Sequence, residues 1–194
     1  MPDPSVRARH AQQTLAAAEH TAAAAAVRRF VPSAVLAAIE AASGSDWLPV
    51  GHDVALVRVI HGALGPERYD AFARGVVLEE LEGPLLGPMK RIVIAAVGRD
   101  AASWARLVPK AWGLIFSGCG EWTVVQADAG EAWLRIAPLP EACAAEPMWP
   151  TSLASSLSAV LAATGVAGTS SLERFEPTTR AATYALRWTP TPAA

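Results

Sequence analysis

The chain has 194 residues, of which 52% are hydrophobic, with a formal charge of -2, and a single domain of that size buries roughly 70% of the surface its unfolded form exposes, so its core needs no disulfide or metal staple. Basic residues cluster only in pairs such as Arg28-Arg29 and Lys90-Arg91, which excludes a protein that draws its affinity from nucleic-acid phosphates. Two cysteines, Cys119 and Cys143, are too few for a disulfide scaffold or a zinc knuckle and point to a reducing cytoplasm.

Residues 1–29 read as one alanine-rich helix starting near Ser5, with Asp3 or Ser5 as its cap. The opening "MPDPSVRARH" lacks the charged-then-apolar order of a secretion signal. Val6, Leu15 and Val27 are its few bulky apolar side chains. A helix so thin either packs closely against another backbone or pairs with a second copy, which makes a homodimer through this segment one expectation.

The helical half continues over residues 30–117. Pro32 opens a short helix over 32–42, ended by "SGSD". Pro49 opens "PVGHDVALVRVIHGAL", apolar on several faces and therefore read as buried. In "GPERYDAFARGVVLEELEG", Pro66 and Glu67 suit the first turn, and Tyr69, Phe72 and Val76 share an inner stripe. Residues 84–97, "PLLGPMKRIVIAAV", are interrupted by Lys90 and Arg91 and fall short of the about 20 apolar residues a bilayer span needs. They read as a core helix, and no membrane span is expected. "AASWARLVPKAWGLIF" puts Trp104, Val108, Trp112 and Ile115 on one face, with Pro109 placed to kink or divide it.

Residues 118–189 carry strand signals. In "FSGCGEWTVV", Gly118 or Gly120 is read as the helix cap and Glu121 as the start of a strand. Cys119 has no neighbouring cation to lower its pKa and reads as unreactive. A hairpin turns around Asp128-Ala129-Gly130. The helix "PTSLASSLSAVLAATGVAG" follows, with Thr151 or Ser152 near its cap and Gly165 near its end. The strands "SLERFEP" and "ATYALRW" come last, the second alternating Tyr184, Leu186 and Trp188 against Thr183, Ala185 and Arg187. Residues 190–194 form a tail. The expectation is a single α+β domain over 1–194, its N-terminal helical layer packed on one face of a four-stranded antiparallel sheet of chain order strand-strand-helix-strand-strand.

No complete catalytic constellation is visible. His10, His20, His52 and His61 make no HExxH or HxxxH pair and read as ordinary histidines. The serines of "FSGCG" and "GTSSL" lack the GxSxG elbow, and no GxGxxG or GxxxxGK[ST] cradle occurs. Glu79, Glu80 and Glu82 point to different faces of a helix and read as a solvated rim. Catalytic residues, metal and cofactor are therefore not expected, and the chain is not read as an enzyme. The aromatic residues Trp104, Trp112 and Phe116, with Trp122 and Trp133 of the hairpin, form either plain core or the wall of an apolar pocket between the late helix and the sheet.

Three stretches carry a family resemblance: "DWLPVGHDVALVRVIHGALGPERYDAFARG", "LVPKAWGLIFSGCGEWTVV" and "TYALRW". Their order, over about residues 30 to 188, resembles an uncharacterised paralogous family expanded in myxobacteria. That family is similar in plan to the ligand-binding superfamily of haem nitric-oxide sensors, four-vinyl-reductase-type sensor domains and TRAPP small subunits. The resemblance implies helices followed by a hairpin, a helix and a second hairpin. The haem sensors use a proximal histidine and a Tyr-x-Ser-x-Arg clamp, which neither Tyr69 nor Tyr184 begins. The reductase-type domains often bring a zinc-binding cysteine cluster that Cys119 and Cys143 cannot supply. The tethering subunits enclose an acyl chain, and that mode needs nothing this sequence lacks.

The leading expectation is a non-catalytic sensory or regulatory domain with an apolar pocket for a small hydrophobic or lipid-like ligand, walled by Trp104, Trp112, Phe116, Trp122, Tyr69 and Met89. The alternative is a protein-interaction or dimerisation module with a solid core and no ligand.

Overall fold

In the computed structural model, which describes residues 3–98 and 100–189, the first element is a strand, β1 (Ser5–Arg7), followed by α1 (Ala8–Glu19) and α2 (Ala24–Phe30). The single helix expected over 1–29 is thus replaced by three elements, its first two residues lying outside the described ones. Thr21 explains the break between the helices. Its hydroxyl donates to the Ala18 carbonyl at 2.8 Å and accepts from the Ala23 N–H at 3.1 Å, a side-chain turn that competes with the helical ladder. The thinness of α1 also has a local explanation: Ala8, Ala11 and Ala18 are fully buried. Their small side chains bring α1 close to other helices of its own chain.

Next come α3 (Ser33–Ala41), β2 (Trp47–Pro49) and α4 (Gly51–Leu64). Pro49 therefore closes a strand, and the helix it was expected to open starts at Gly51. Helix α5 (Pro66–Glu82) begins after Gly65, whose φ of 74° turns the chain sharply between two helices. Helix α6 (Gly87–Val97) departs from the expected core helix, because only Gly87 and Val93 of it are buried and Ile92 is 68% exposed. Pro109 divides the following stretch into α7 (Ala101–Ala105) and α8 (Val108–Ile115). Strand β3 (Phe116–Ser117) follows directly. The extended Phe116 caps α8, so neither Gly118 nor Gly120 does. Both glycines instead take positive φ, 65° and 92°, in the turn beyond β3.

Strands β1, β2 and β3 make a small antiparallel sheet with β1 in the middle. Val6 is paired with Leu48 on one side and with Phe116 on the other. This sheet gathers the start of α1, the start of α4 and the end of α8 at one place. Sequence patterns did not mark it for a physical reason: pieces of two or three residues are too short to show a period.

The second sheet contains β4 (Glu121–Asp128) and β5 (Glu131–Ala137). After α9 (Glu141–Ala144) and α10 (Met148–Thr164) it is completed by β6 (Gly168–Glu176) and β7 (Ala181–Trp188), all antiparallel in spatial order β4-β5-β7-β6. The class is therefore α+β, with two antiparallel sheets where one was expected. Ala132, Leu134 and Ile136 of β5 are fully buried on its inner face. Outward, Arg187 pairs with Glu131 at 2.9 Å and Glu173 at 2.8 Å and lies over Trp133. Helix α10 packs on β6 and β7 and, elsewhere on its surface, against α5, α4 and α7. Trp149, Leu153, Leu157 and Leu161 recur at four-residue intervals and are all buried. The Tyr184 hydroxyl donates to the Pro150 carbonyl at 2.8 Å, tying the sheet to α10. The expected tail, 190–194, lies outside the described residues.

Candidate functional site

Where α5, α8 and α10 meet the starts of α1 and α4 and the strand β4, they leave a cavity of about 130 Å³. Its wall is mostly aromatic. Trp112 and Phe116 stack with ring centroids 4.1 Å apart, and Trp149 stands edge-on to both, at 6.2 Å and 5.9 Å. Trp122 adds an edge-on ring 5.7 Å from Trp112. Tyr69 and Phe72, 6.0 Å apart, supply the α5 side.

Of the six residues expected to form a pocket wall, Tyr69, Trp112, Phe116 and Trp122 line this cavity. Trp104 and Met89 are not among its lining residues. Pro109 accounts for Trp104. By dividing the helix it separates α7 from α8, and the indole N–H of Trp104 donates to the Gly98 carbonyl at 3.0 Å. Met89 belongs to α6, packed only partly against the core.

Set into this apolar wall is a polar cluster that sequence patterns did not mark. His10 Nδ1 is 2.5 Å from Glu80 Oε1, and His10 Nε2 is 3.5 Å from Asp53 Oδ1. The Trp149 indole N–H donates to Asp53 Oδ2 at 2.8 Å. Glu80, expected on a solvated rim, is 1% exposed, and Asp53 is 3% exposed. The two carboxylates sit in opposite backbone fields. Asp53 lies in the first turn of α4, where the helix dipole favours an anion, whereas Glu80 lies in the last turn of α5, where it does not. The imidazole beside Glu80 offsets that unfavourable field. Burial by itself pulls the His10 pKa down, but the Glu80 and Asp53 carboxylates overcome it and hold the imidazole well above its ordinary range. The same environment pushes the Tyr69 phenol up, through burial first and the Asp53 carboxylate second.

Chemically, the cluster is an imidazole clamped between two carboxyl groups. Both ring nitrogens of His10 face carboxylates, so neither is free for proton transfer to a bound molecule. Glu80 Oε2 has no hydrogen-bond partner, and neither have the indole nitrogens of Trp112 and Trp122. All three residues line the cavity. Among the described residues no group of three or more His, Cys, Asp and Glu is arranged to hold a metal ion. Cys119 is buried, its thiol donating to the carbonyls of Ser117 at 3.3 Å and Ser5 at 3.6 Å. Burial pushes its pKa up to about 12, which leaves no thiolate near neutrality.

Comparison of the chain with protein families, curated proteins and solved structures finds no match. No helix among the described residues is long and apolar enough to cross a membrane.

Proposed function

We propose that the chain is a non-catalytic sensory or regulatory domain that binds a small, mainly apolar molecule among α5, α8 and α10, with Trp122 the one side chain of the four-stranded sheet at the site. In this reading the order of helices, hairpin, helix and hairpin is similar to the plan of the sensor and tethering superfamily named above. The observation that carries it is the aromatic cavity, built from Trp112, Phe116, Trp122 and Trp149 on four separate elements. Its size favours a compact hydrophobe over a lipid-like chain, because a dry cavity of about 150 Å³ holds one benzene ring. Native mass spectrometry of the purified protein, with organic extraction of any excess mass, and a thermal-shift screen of small hydrophobes test the reading. A releasable molecule or a saturable rise in Tm supports it. No excess mass and no stabilising compound would overturn it, and an extracted fatty acid would replace the compact ligand with an acyl chain.

A protein-interaction or dimerisation module is the second reading, favoured by one observation. Ile92, Ile94 and Val97 of α6 are large apolar side chains left exposed, Ile92 the most. With the alanines of α1 buried inside the chain, α6 is the better contact surface. Sedimentation of the protein and its Ile92→Lys variant decides it: a monomeric mass for both removes a homodimer.

A further inference from the structure

The cluster of His10, Asp53 and Glu80 is part of the cavity wall and touches its aromatic rings. The His10 ring stands edge-on to Phe116 with centroids 5.4 Å apart, and Asp53 Oδ2 accepts from the Trp149 indole at 2.8 Å. Among the described residues that line the cavity, His10 is the only base, and Asp53 and Glu80 are the only carboxyl groups. The other groups near the ring offer no substitute cation. Helix α10 has no ionisable side chain. Burial and the Asp53 carboxylate hold Tyr69 of α5 neutral, and burial does the same for Cys119 and Cys143. On the elements packed against α1, Arg7 of β1 donates to the carbonyls of Ser45 and Leu114, and Arg28 of α2 pairs with Glu19 and with Glu40 of α3.

A proton on the imidazole is therefore the one positive charge that the wall can set between the two carboxyl groups, 2.5 Å from Glu80 Oε1 and 3.5 Å from Asp53 Oδ1. Burial opposes that proton, the two carboxyl groups favour it, and their effect wins. An apolar occupant keeps water away from the cluster. Dewetting costs an uncompensated charge far more than a paired one, so a filled cavity favours the protonated cluster over the deprotonated one. We propose that the cavity is a proton-coupled site, which holds an apolar molecule most tightly while His10 carries its proton and releases it as pH rises. The proposal rests on the binding reading above and adds its regulation. By linkage the reverse holds with the same factor: an occupant tightens the hold of His10 on its proton.

Benzene is the probe, because it has no ionisable group and the cavity of about 130 Å³ is close to the roughly 150 Å³ known to hold it. Calorimetric titration of the full chain runs from pH 6 to the highest pH at which circular dichroism shows the fold intact. Benzene is expected to bind at least about fivefold more tightly at pH 6 than at the alkaline end, the lower end of typical coupling between sites. The imidazole NMR shifts of His10 give the reciprocal readout: their titration midpoint should rise when benzene is saturating. His10→Gln should bind benzene with an affinity independent of pH. Should that variant fail to fold, the midpoint in the wild type still decides. Equal affinity across the range with an unmoved midpoint overturns the inference and leaves the binding reading standing. So does tighter binding at high pH, or a His10 that keeps its proton until the chain unfolds. No binding of benzene at any pH also overturns the inference, and an empty native mass spectrum with no stabilising compound is then needed to overturn the parent reading.

Discussion

Replacing His10 with glutamine tests whether the buried acid–imidazole–acid cluster stabilises the fold. His10, Glu80 and Asp53 have side chains 14%, 1% and 4% exposed, so the pair belongs to the buried regime and not to surface ion pairs, whose worth is about 0–1 kcal/mol. Removing one partner of a buried pair costs about 3–5 kcal/mol because the other charge is left uncompensated. For a chain of this length that corresponds to a fall in Tm of about 6 to 20 °C. The pH dependence gives a second, independent readout. The folded-state pKa of His10 lies well above its ordinary value. Its contribution to stability is therefore fully present below the unfolded-state pKa, about 6.5, and is lost as pH rises through the folded value. Urea unfolding followed by circular dichroism, run from pH 6 into the alkaline range, should show the largest gap between wild type and His10→Gln at the acid end. The gap should narrow as pH rises. A loss below about 1 kcal/mol at pH 6, or a gap independent of pH, would refute the reasoning.

Four further outcomes are expected. Cys119→Ser should leave stability within about 1 kcal/mol, because a hydroxyl can donate to the same carbonyls. In the wild type, a thiol reagent should react with Cys119 only on unfolding; fast labelling of the native protein would contradict its burial. Gly120→Ala should destabilise by about 1–3 kcal/mol or more, since φ is 92° and the added Cβ would stand 2.9 Å from Ile136 Cγ1 and 3.1 Å from the Pro138 carbonyl oxygen; an unchanged Tm would show that the turn relaxes freely. Ile92→Lys should change stability by less than about 0.5 kcal/mol, as surface substitutions do, whereas a large loss would return α6 to the core.

What could be read from the chain followed from how far each pattern extends. Strands β5 and β7 run for seven and eight residues, long enough for a two-residue alternation to register, and the Pro66-Glu67 start of α5 is a local signal. Strands β1 and β3 are too short for any period, and their pairing is set by partners far away in sequence. The wall of the cavity was legible where an aromatic stripe lay on one helix, as with Trp112 and Ile115, and failed for Trp104 once Pro109 split that helix. Trp149 was missed because the helix was started at Pro150, two residues after its first residue, Met148. No local motif marked the polar cluster, since His10 and Glu80 are 70 residues apart. One sign was present. Glu80 falls four residues after Val76 and seven after Ala73, on the same buried stripe as Tyr69, and a carboxylate on an apolar stripe calls for a partner.

The small sheet has a kinetic consequence. Its central strand comes early in the chain, but that strand's partners lie around residues 48 and 116, and Trp149 follows later still. Closing such long loops costs entropy before any contact repays it. The cavity is therefore a late product of folding: helices such as α4 and α5 can form while β3 is still unpaired, but the aromatic wall is not complete until Phe116, Trp122 and Trp149 are in place. A nascent chain halted short of those residues would be helical and would have no binding site.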